Sequence, residues 1–225
     1  MKKTLFFIFL SLLCITVFSQ EEVKLKNGRT IIVNPDGTWK HKQEIPTNNT
    51  FTDSRDGHVY KTVTVGTQTW MAENFAFKSD SGCWANNNDI KNVAIYGYLY
   101  NFESAKNLCP IGWHLPSLDE WKTLISNFGI KDDAGGKLKE TGFLHWKAPN
   151  EGATNESGFN GLPGGCRNEI ETFAPIGETG FWWTSTDVTN TIAWSILLNN
   201  DNSRVCYYSC YEKSHGFSLR YIKDK

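Results

Sequence analysis

The sequence predicts an α+β fold, a loop-rich mixed domain with two main helices and antiparallel strands. Apolar residues recur at helical spacing mainly in the middle of the chain, within residues 98–129. The last third instead shows short apolar runs separated by Gly, Asn and Asp, which is typical of antiparallel strands and their turns. Nine tryptophans and 19 glycines indicate an aromatic core with many turns, and they argue against a helix bundle.

The clearest single element is a helix that begins after Ser117. Glu120 stands three residues later, and this spacing predicts a capping box in which each side chain bonds the other residue's backbone N–H. Trp121 and Phe128 lie on the apolar face that follows, and Gly129 stands where a left-handed C-terminal cap would fall. The second main helix is predicted over residues 98–108. A shorter helix is predicted over 134–140.

The predicted strands cover residues 58–65, 68–72, 180–185, 192–198, 204–211 and 216–222. A long surface loop is predicted over 79–92, where Ser, Asp, Asn and Gly predominate. Asn199, Asn200, Asp201 and Asn202 fall between two of the strands. Because Asn and Asp favour turns, these four residues predict a hairpin loop.

The first 19 residues predict a secretory signal peptide. A basic start precedes an apolar run from Leu5 to Phe18, which is too short to span a bilayer comfortably and is followed by polar residues. A retained N-terminal anchor and a lipid anchor at Cys14 are the alternatives; length disfavours the first, and bulky Leu13 disfavours the second. We therefore expect a periplasmic, cell-surface or extracellular protein with no transmembrane anchor after cleavage.

Three further segments follow the signal peptide. Residues 20–42 predict a small β meander, because Asn27-Gly28 and Pro35-Asp36-Gly37 are turn signals between short strand-like runs. Residues 43–55 are polar and contain Pro46, which indicates a linker. The main domain is predicted over residues 56–224.

The charge pattern excludes one class of function. The whole chain has a net charge of −1, and loss of the two leader lysines leaves 21 basic against 24 acidic residues, about −3. No basic run is present, so no nucleic-acid partner is expected. The five histidines are scattered without the spacing of a zinc helix, and no Ser/His/Asp set is recognisable, so neither a metal nor a catalytic residue is predicted.

Five cysteines remain after the leader: Cys83, Cys109, Cys166, Cys206 and Cys210. Disulfides are the default expectation in an exported protein, and five cysteines allow two bridges and one free thiol. Four residues of regular strand separate Cys206 from Cys210 by about 13 Å, whereas a disulfide needs Cα atoms within about 7 Å. These two should therefore not bridge each other, and the pairing stays open.

The chain resembles the Fibrobacter succinogenes major paralogous domain, abbreviated FISUMP, over about residues 56–224. The matching stretches, in order, are residues 60–63, 66–74, 109–117, 120–121, 153–160, 162–165, 181–182, 202–205 and 216–220. Such domains occur in exported bacterial proteins and have no established general activity. The chain departs from the family pattern at several cysteine positions, so the family's disulfides cannot be transferred.

The FISUMP family is similar in turn to the formylglycine-generating enzymes and to the C-type lectin-like fold, which this resemblance implies for the main domain. Those enzymes use a cysteine pair that binds copper, and Cys206 with Cys210 is the pair to test here. Structural disulfides are the favoured interpretation of these cysteines because of the predicted export.

A non-catalytic binding or surface-display module, for a glycan or a surface protein, is the leading functional hypothesis. Its candidate ligand contacts are Trp182, Asn199, Asn200, Asp201 and Asn202, because aromatic rings beside amides suit sugar contacts. No cofactor is expected, apart from a weak suggestion of calcium at residues 148–151, which resemble the proline-asparagine loop of calcium-dependent lectins. The alternatives are an enzyme related to the formylglycine-generating group and a structural component of an envelope assembly.

Overall fold

The computed structural model describes residues 21–24, 30–33, 37–41 and 47–225, and the chain divides into two compact units, Met1–Glu44 and Ile45–Lys225. The predicted signal peptide and the predicted Asn27-Gly28 turn lie outside the described residues. Within these ranges, no helix is both long and apolar enough to cross a membrane.

The first unit contains a three-stranded antiparallel sheet. Its strands are β1 (Glu21–Lys24), β2 (Thr30–Val33) and β3 (Trp39–His41), in the order β1-β2-β3. The register pairs Val23 with Ile31 and Val33 with Trp39. The observed strands confirm the predicted meander.

The second unit contains ten strands and four helices among its described residues. The strands are β4 (Thr47–Thr52), β5 (Val59–Val65), β6 (Gln68–Met71), β7 (Cys83–Trp84), β8 (Leu99–Tyr100), β9 (Trp113–His114), β10 (Thr179–Asp187), β11 (Ile192–Asn199), β12 (Cys206–Glu212) and β13 (Ile222–Lys223). The helices are α1 (Val93–Tyr96), α2 (Phe102–Asn107), α3 (Leu118–Ser126) and α4 (Lys131–Leu138). The strands form antiparallel sheets ordered β4-β5-β6-β13-β9, β10-β11-β12 and β7-β8. This mixture confirms the α+β prediction.

The linker prediction over 43–55 is wrong for residues 47–52, which form strand β4. The strand pairs with β5 along its whole length, from Thr47 opposite Thr64 to Thr52 opposite Val59. Its own side chains are largely polar, and Asn49 and Thr50 are exposed. The strand is therefore held by backbone hydrogen bonds to β5, which a search for apolar alternation does not detect.

Helix α3 has the predicted capping box. Glu120 N–H donates to Ser117 Oγ at 3.2 Å, while Ser117 N–H donates to Glu120 Oε2 at 2.8 Å. Helix α2 is shorter than predicted because residues 99–100 pair with β7 and Asn101 caps the first turn by accepting from Ser104 N–H. The predicted loop 79–92 likewise contains β7 and two 3-10 turns.

The three-stranded sheet β10-β11-β12 separates two apolar clusters. The first cluster packs α3 against the sheet and includes Trp70, Trp121, Phe159, Trp182 and Ile196. The second cluster lies on the other face and includes Tyr100, Phe181, Trp183, Leu197 and Phe217. Successive residues of β10 point alternately into the two clusters, as a strand with both faces buried requires. The sheet therefore forms the centre of the second unit.

Residues 216–222 were predicted as one strand, but only Ile222 and Lys223 form strand β13. The preceding residues run through the core with isolated bridges, such as Trp182 to Ser218. Arg220 is fully buried here, and its guanidinium donates to Met71 O, Phe159 O and Asn74 Oδ1 at 3.1, 2.7 and 2.7 Å. The chain end therefore satisfies loop carbonyls instead of extending a sheet.

Candidate functional site

Trp182, a predicted ligand contact, is a core residue. It is completely buried between Trp121 and Phe159, and its indole N–H donates to Asn74 Oδ1 at 3.0 Å. The prediction is therefore wrong for Trp182, because a ring without exposed surface cannot stack on a sugar. Its position on β10, a strand buried on both faces, explains the error.

The other four predicted residues form the β11–β12 hairpin loop. Lys139 directly follows α4 and contacts this loop. Its Nζ donates to Asn199 O at 2.8 Å and to Asn202 O at 2.9 Å. The Asn202 side chain accepts from Arg204 N–H at 3.0 Å, which tightens the same turn. One ammonium group therefore holds the hairpin loop at both of its ends.

Lys139 is completely buried and has no carboxylate within ion-pair distance among the described residues. Its Nζ also lies 5.4 Å from the centre of the Trp146 ring. Burial lowers the pKa of Lys139 to about 8, while the charges of Glu151 and Asp201 act in the opposite direction. Lys139 is therefore still mostly protonated at neutral pH, and its ammonium group has stronger hydrogen bonds to the loop than a neutral amine would.

A second loop, residues 140–151, is attached to the hairpin. Glu151 N–H donates to Asn200 O at 2.8 Å, and Asn200 Nδ2 donates to Ala148 O at 3.0 Å. Asn150 is buried, and its Nδ2 donates to Glu140 O and Gly142 O. These bonds join the two loops into one surface.

Two apolar side chains project from this surface. Phe143 is 67% exposed and Leu144 is 82% exposed. Both lie between Gly142 and His145, and the His145 side chain is held by Glu140 at 2.8 Å. We call the surface made by Phe143, Leu144, Glu151, Asn200 and Asp201 the loop face. The sequence signal that points to it is the adjacent Phe-Leu pair directly after a glycine in a segment without apolar periodicity.

The suggestion of calcium at residues 148–151 stays a prediction, and three carbonyl oxygens of the neighbouring hairpin loop already have donors within the protein. Calcium takes six to eight oxygen ligands. Here Asn199 O and Asn202 O already accept from the Lys139 ammonium, and Asn200 O accepts from Glu151 N–H. These three carbonyl oxygens of the hairpin loop are therefore engaged within the protein.

The expected disulfides are not confirmed, because all five of these cysteines are free thiols in this structure. Cys83 Sγ bonds the backbone of Ser79, and Cys109 Sγ donates to Lys106 O at 3.3 Å. Burial raises the pKa of the Cys166 thiol to about 11. Cys83 and Cys109 thus bond backbone groups close to them in the chain, and Cys166 is partly buried.

Cys206 and Cys210 lie on opposite faces of β12. The register pairs Ser195 with Tyr208 and Ala193 with Tyr211, so β12 has one extra residue in this interval, a β-bulge. Cys206 packs against the second cluster, whereas Cys210 lies within the bulge and is exposed. The thiols therefore do not share the face that a two-cysteine metal site requires. In the described part of the chain, no group of three or more His, Cys, Asp or Glu side chains has metal-binding geometry.

A small cavity of about 340 Å³ lies beside the start of α3 and is lined in part by His114 and Lys223. Both ring nitrogens of His114 are engaged, Nδ1 with Asp224 Oδ1 at 2.6 Å and Nε2 with Glu120 Oε1 at 2.9 Å. Burial lowers the pKa of His114, but its hydrogen bonds to the carboxylates of Glu120 and Asp224 outweigh this effect, so the net pKa is raised. This histidine ties α3 to the chain end and has no free nitrogen for catalysis.

The model of the Fibrobacter succinogenes major domain family matches residues 63–223 of the chain. The chain belongs to this family. The loop face, Lys139 and the first apolar cluster fall within the matched part of this FISUMP domain. No curated protein and no solved structure matches the chain.

Proposed function

We propose that this FISUMP domain is the non-catalytic binding module of an exported protein and that the loop face contacts its ligand, a glycan or a protein. The observation that carries the proposal is the exposure of Phe143 and Leu144 on a loop that is fixed by hydrogen bonds to its neighbours. Export is supported by the leader-like pattern of residues 1–19. A rigid loop with exposed apolar tips suits binding, because little conformational entropy is lost when a ligand covers it.

The two apolar side chains set the size of the expected effect. Complete burial of one Phe or Leu side chain contributes about 1.5–3 kcal/mol, so the pair contributes at least about 3 kcal/mol if the ligand covers both. That free energy corresponds to an affinity change of more than about a hundredfold.

The test is a glycan array together with a peptide-display library, each probed with the full chain and with a Phe143→Ser/Leu144→Ser variant. Ile170→Ser is the matched control, because Ile170 is 71% exposed in a different loop. We expect at least one ligand whose binding is lost in the double variant and retained in the control. Ligands that bind both variants equally, or no ligand in either format, would contradict the proposal.

The enzyme alternative has less support. It depends on resemblance to the formylglycine-generating group and on a reactive Cys206/Cys210 pair, and the bulge in β12 puts these thiols on opposite faces. A structural role in an envelope assembly would use the same kind of surface as a binding module. The double variant would then impair incorporation into the assembly.

A further inference from the structure

The loop face is acidic as well as apolar. Glu151 and Asp201 are exposed, and among residues 47–225 no cationic side chain forms an ion pair with either. The nearby surface cation Lys147 is already bonded to Glu178 at 2.7 Å. The buried ammonium of Lys139 offsets only one of the two charges, so the face has a net negative charge.

Two hydrogen bonds connect the loops that carry the acidic and the apolar side chains, and these bonds bring the side chains close together. Asn150, next to Glu151, bonds Gly142, which precedes Phe143. Glu151 N–H bonds Asn200 O, and Asn200 precedes Asp201. Glu151 therefore makes one of the connecting hydrogen bonds itself, and Asp201 directly follows the residue that accepts it. A partner that covers Phe143 and Leu144 would also meet these carboxylates.

We propose that the partner of the loop face is a protein segment that carries Lys or Arg side chains beside apolar ones. This rests on the proposed function of the loop face and names the class of its ligand. Carboxylates accept strong, charge-assisted hydrogen bonds from ammonium and guanidinium groups, and the apolar tips gain by burial. The same charges repel anionic lipid headgroups and acidic glycans, so the face discriminates against both.

The carboxylates of Glu151 and Asp201 have oxygen atoms that are available to accept hydrogen bonds from a charged partner. Glu151 is fixed through its backbone N–H, and its side-chain carboxylate has no donor among the described residues. Asp201 accepts from Asn202 Nδ2 through Oδ1 at 2.7 Å, and its Oδ2 has no hydrogen bond in this part of the chain. Substitution of either side chain by its amide therefore removes charge without removing a bond that holds the loops.

The experiment is a selection from a random peptide-display library on the immobilised full chain, followed by affinity measurement with the enriched peptides as synthetic probes. We expect enrichment of peptides that combine Lys or Arg with apolar residues. Their affinity should fall at least tenfold in Glu151→Gln/Asp201→Asn and in Phe143→Ser/Leu144→Ser, and it should weaken as salt is raised. Asp80→Asn and Ile170→Ser, at other exposed positions, should leave it unchanged.

Enrichment of peptides without basic residues, or equal affinity in Glu151→Gln/Asp201→Asn, would overturn the proposal. A parallel arm measures binding to a glycan array and to vesicles of phosphatidylcholine with and without phosphatidylserine. A glycan whose binding needs Phe143 and Leu144, in the absence of any basic peptide, would refute this inference and leave the binding function intact. Binding in no arm that depends on the loop face would refute both.

Discussion

Because Lys139 is buried, we expect the free energy of unfolding to rise with pH above neutrality. Its pKa is about 8 in the folded protein and about 10.4 in the unfolded chain. Between these values the unfolded state binds more protons than the folded state, so the free energy of unfolding rises with pH. Each pH unit inside this window contributes up to about 1.4 kcal/mol. From pH 7 to pH 9.5 the gain is about 2 kcal/mol.

The assay compares urea unfolding of the wild-type protein and a Lys139→Met variant at several pH values from 7 to 9.5. Methionine has a similar length and no charge, so other titrating groups cancel in the difference between the two proteins. We expect the stability of the wild type relative to the variant to rise by about 2 kcal/mol across this range. A difference that stays constant or falls with pH would refute the argument that Lys139 is buried as an ammonium group without a carboxylate partner.

Three further predictions test other parts of the structure. Ser117→Ala should lower the free energy of unfolding by about 1 kcal/mol because it removes the α3 cap, whereas Ser126→Ala, at an exposed position in the same helix, should have little effect; equal losses in denaturant titrations would rule out the cap as the cause. Arg220→Met should lower stability by at least about 3 kcal/mol, since three backbone carbonyl oxygens lose a donor; an unchanged midpoint of urea unfolding would contradict this. In mass-spectrometric labelling with iodoacetamide, the exposed Cys210 should react first and Cys166, whose pKa burial raises to about 11, among the last; a mixed order, or disulfide-linked peptides, would contradict the free-thiol arrangement.

Elements with a local signal could be predicted from the sequence. Helix α3 has its N-terminal cap and its apolar face within a single stretch, and the structure reproduces both. The predicted left-handed cap at Gly129 is wrong, because the helix ends at Ser126 and its C-cap, Asn127, has a right-handed conformation. Strands β10 and β11 have long apolar runs and were found within one or two residues of their observed ends. The family match likewise rests on motifs spread along residues 63–223.

Elements that depend on distant partners could not be predicted. Strand β4 has polar side chains, and its pairing with β5 becomes visible only when both strands are placed. Trp182 is predicted as a ligand contact because aromatic rings beside amides suit sugar contacts, although alternation along β10 directs it into the first cluster. Disulfides are expected from the compartment, but the positions of the cysteines depend on bulges and loops that spacing does not reveal.

Only part of the candidate site can be predicted from the sequence, and the buried lysine that fixes its hairpin loop is not in that part. The sequence predicts the amide-rich loop at Asn199–Asn202, but it predicts neither the buried Lys139 nor the exposed Phe143-Leu144 pair. A lysine in a short helix usually points to solvent, so its sequence context gave no sign of a buried ammonium. The Phe143-Leu144 pair is a sequence signal for this surface, but the pair alone does not show that its side chains are exposed.

Two buried cations hold the irregular parts of this fold in place. Lys139 donates to carbonyls of the hairpin loop, and Arg220 donates to carbonyls near Met71 and Phe159. A loop-rich domain leaves many carbonyls outside regular ladders, and a buried carbonyl without a donor is destabilising. An ammonium or guanidinium group satisfies several such oxygens from one side chain. Lys139 holds the hairpin loop, and hydrogen bonds join that loop to residues 140–151, which carry the exposed Phe143 and Leu144. The loop face is therefore fixed before any ligand binds, which favours specific binding.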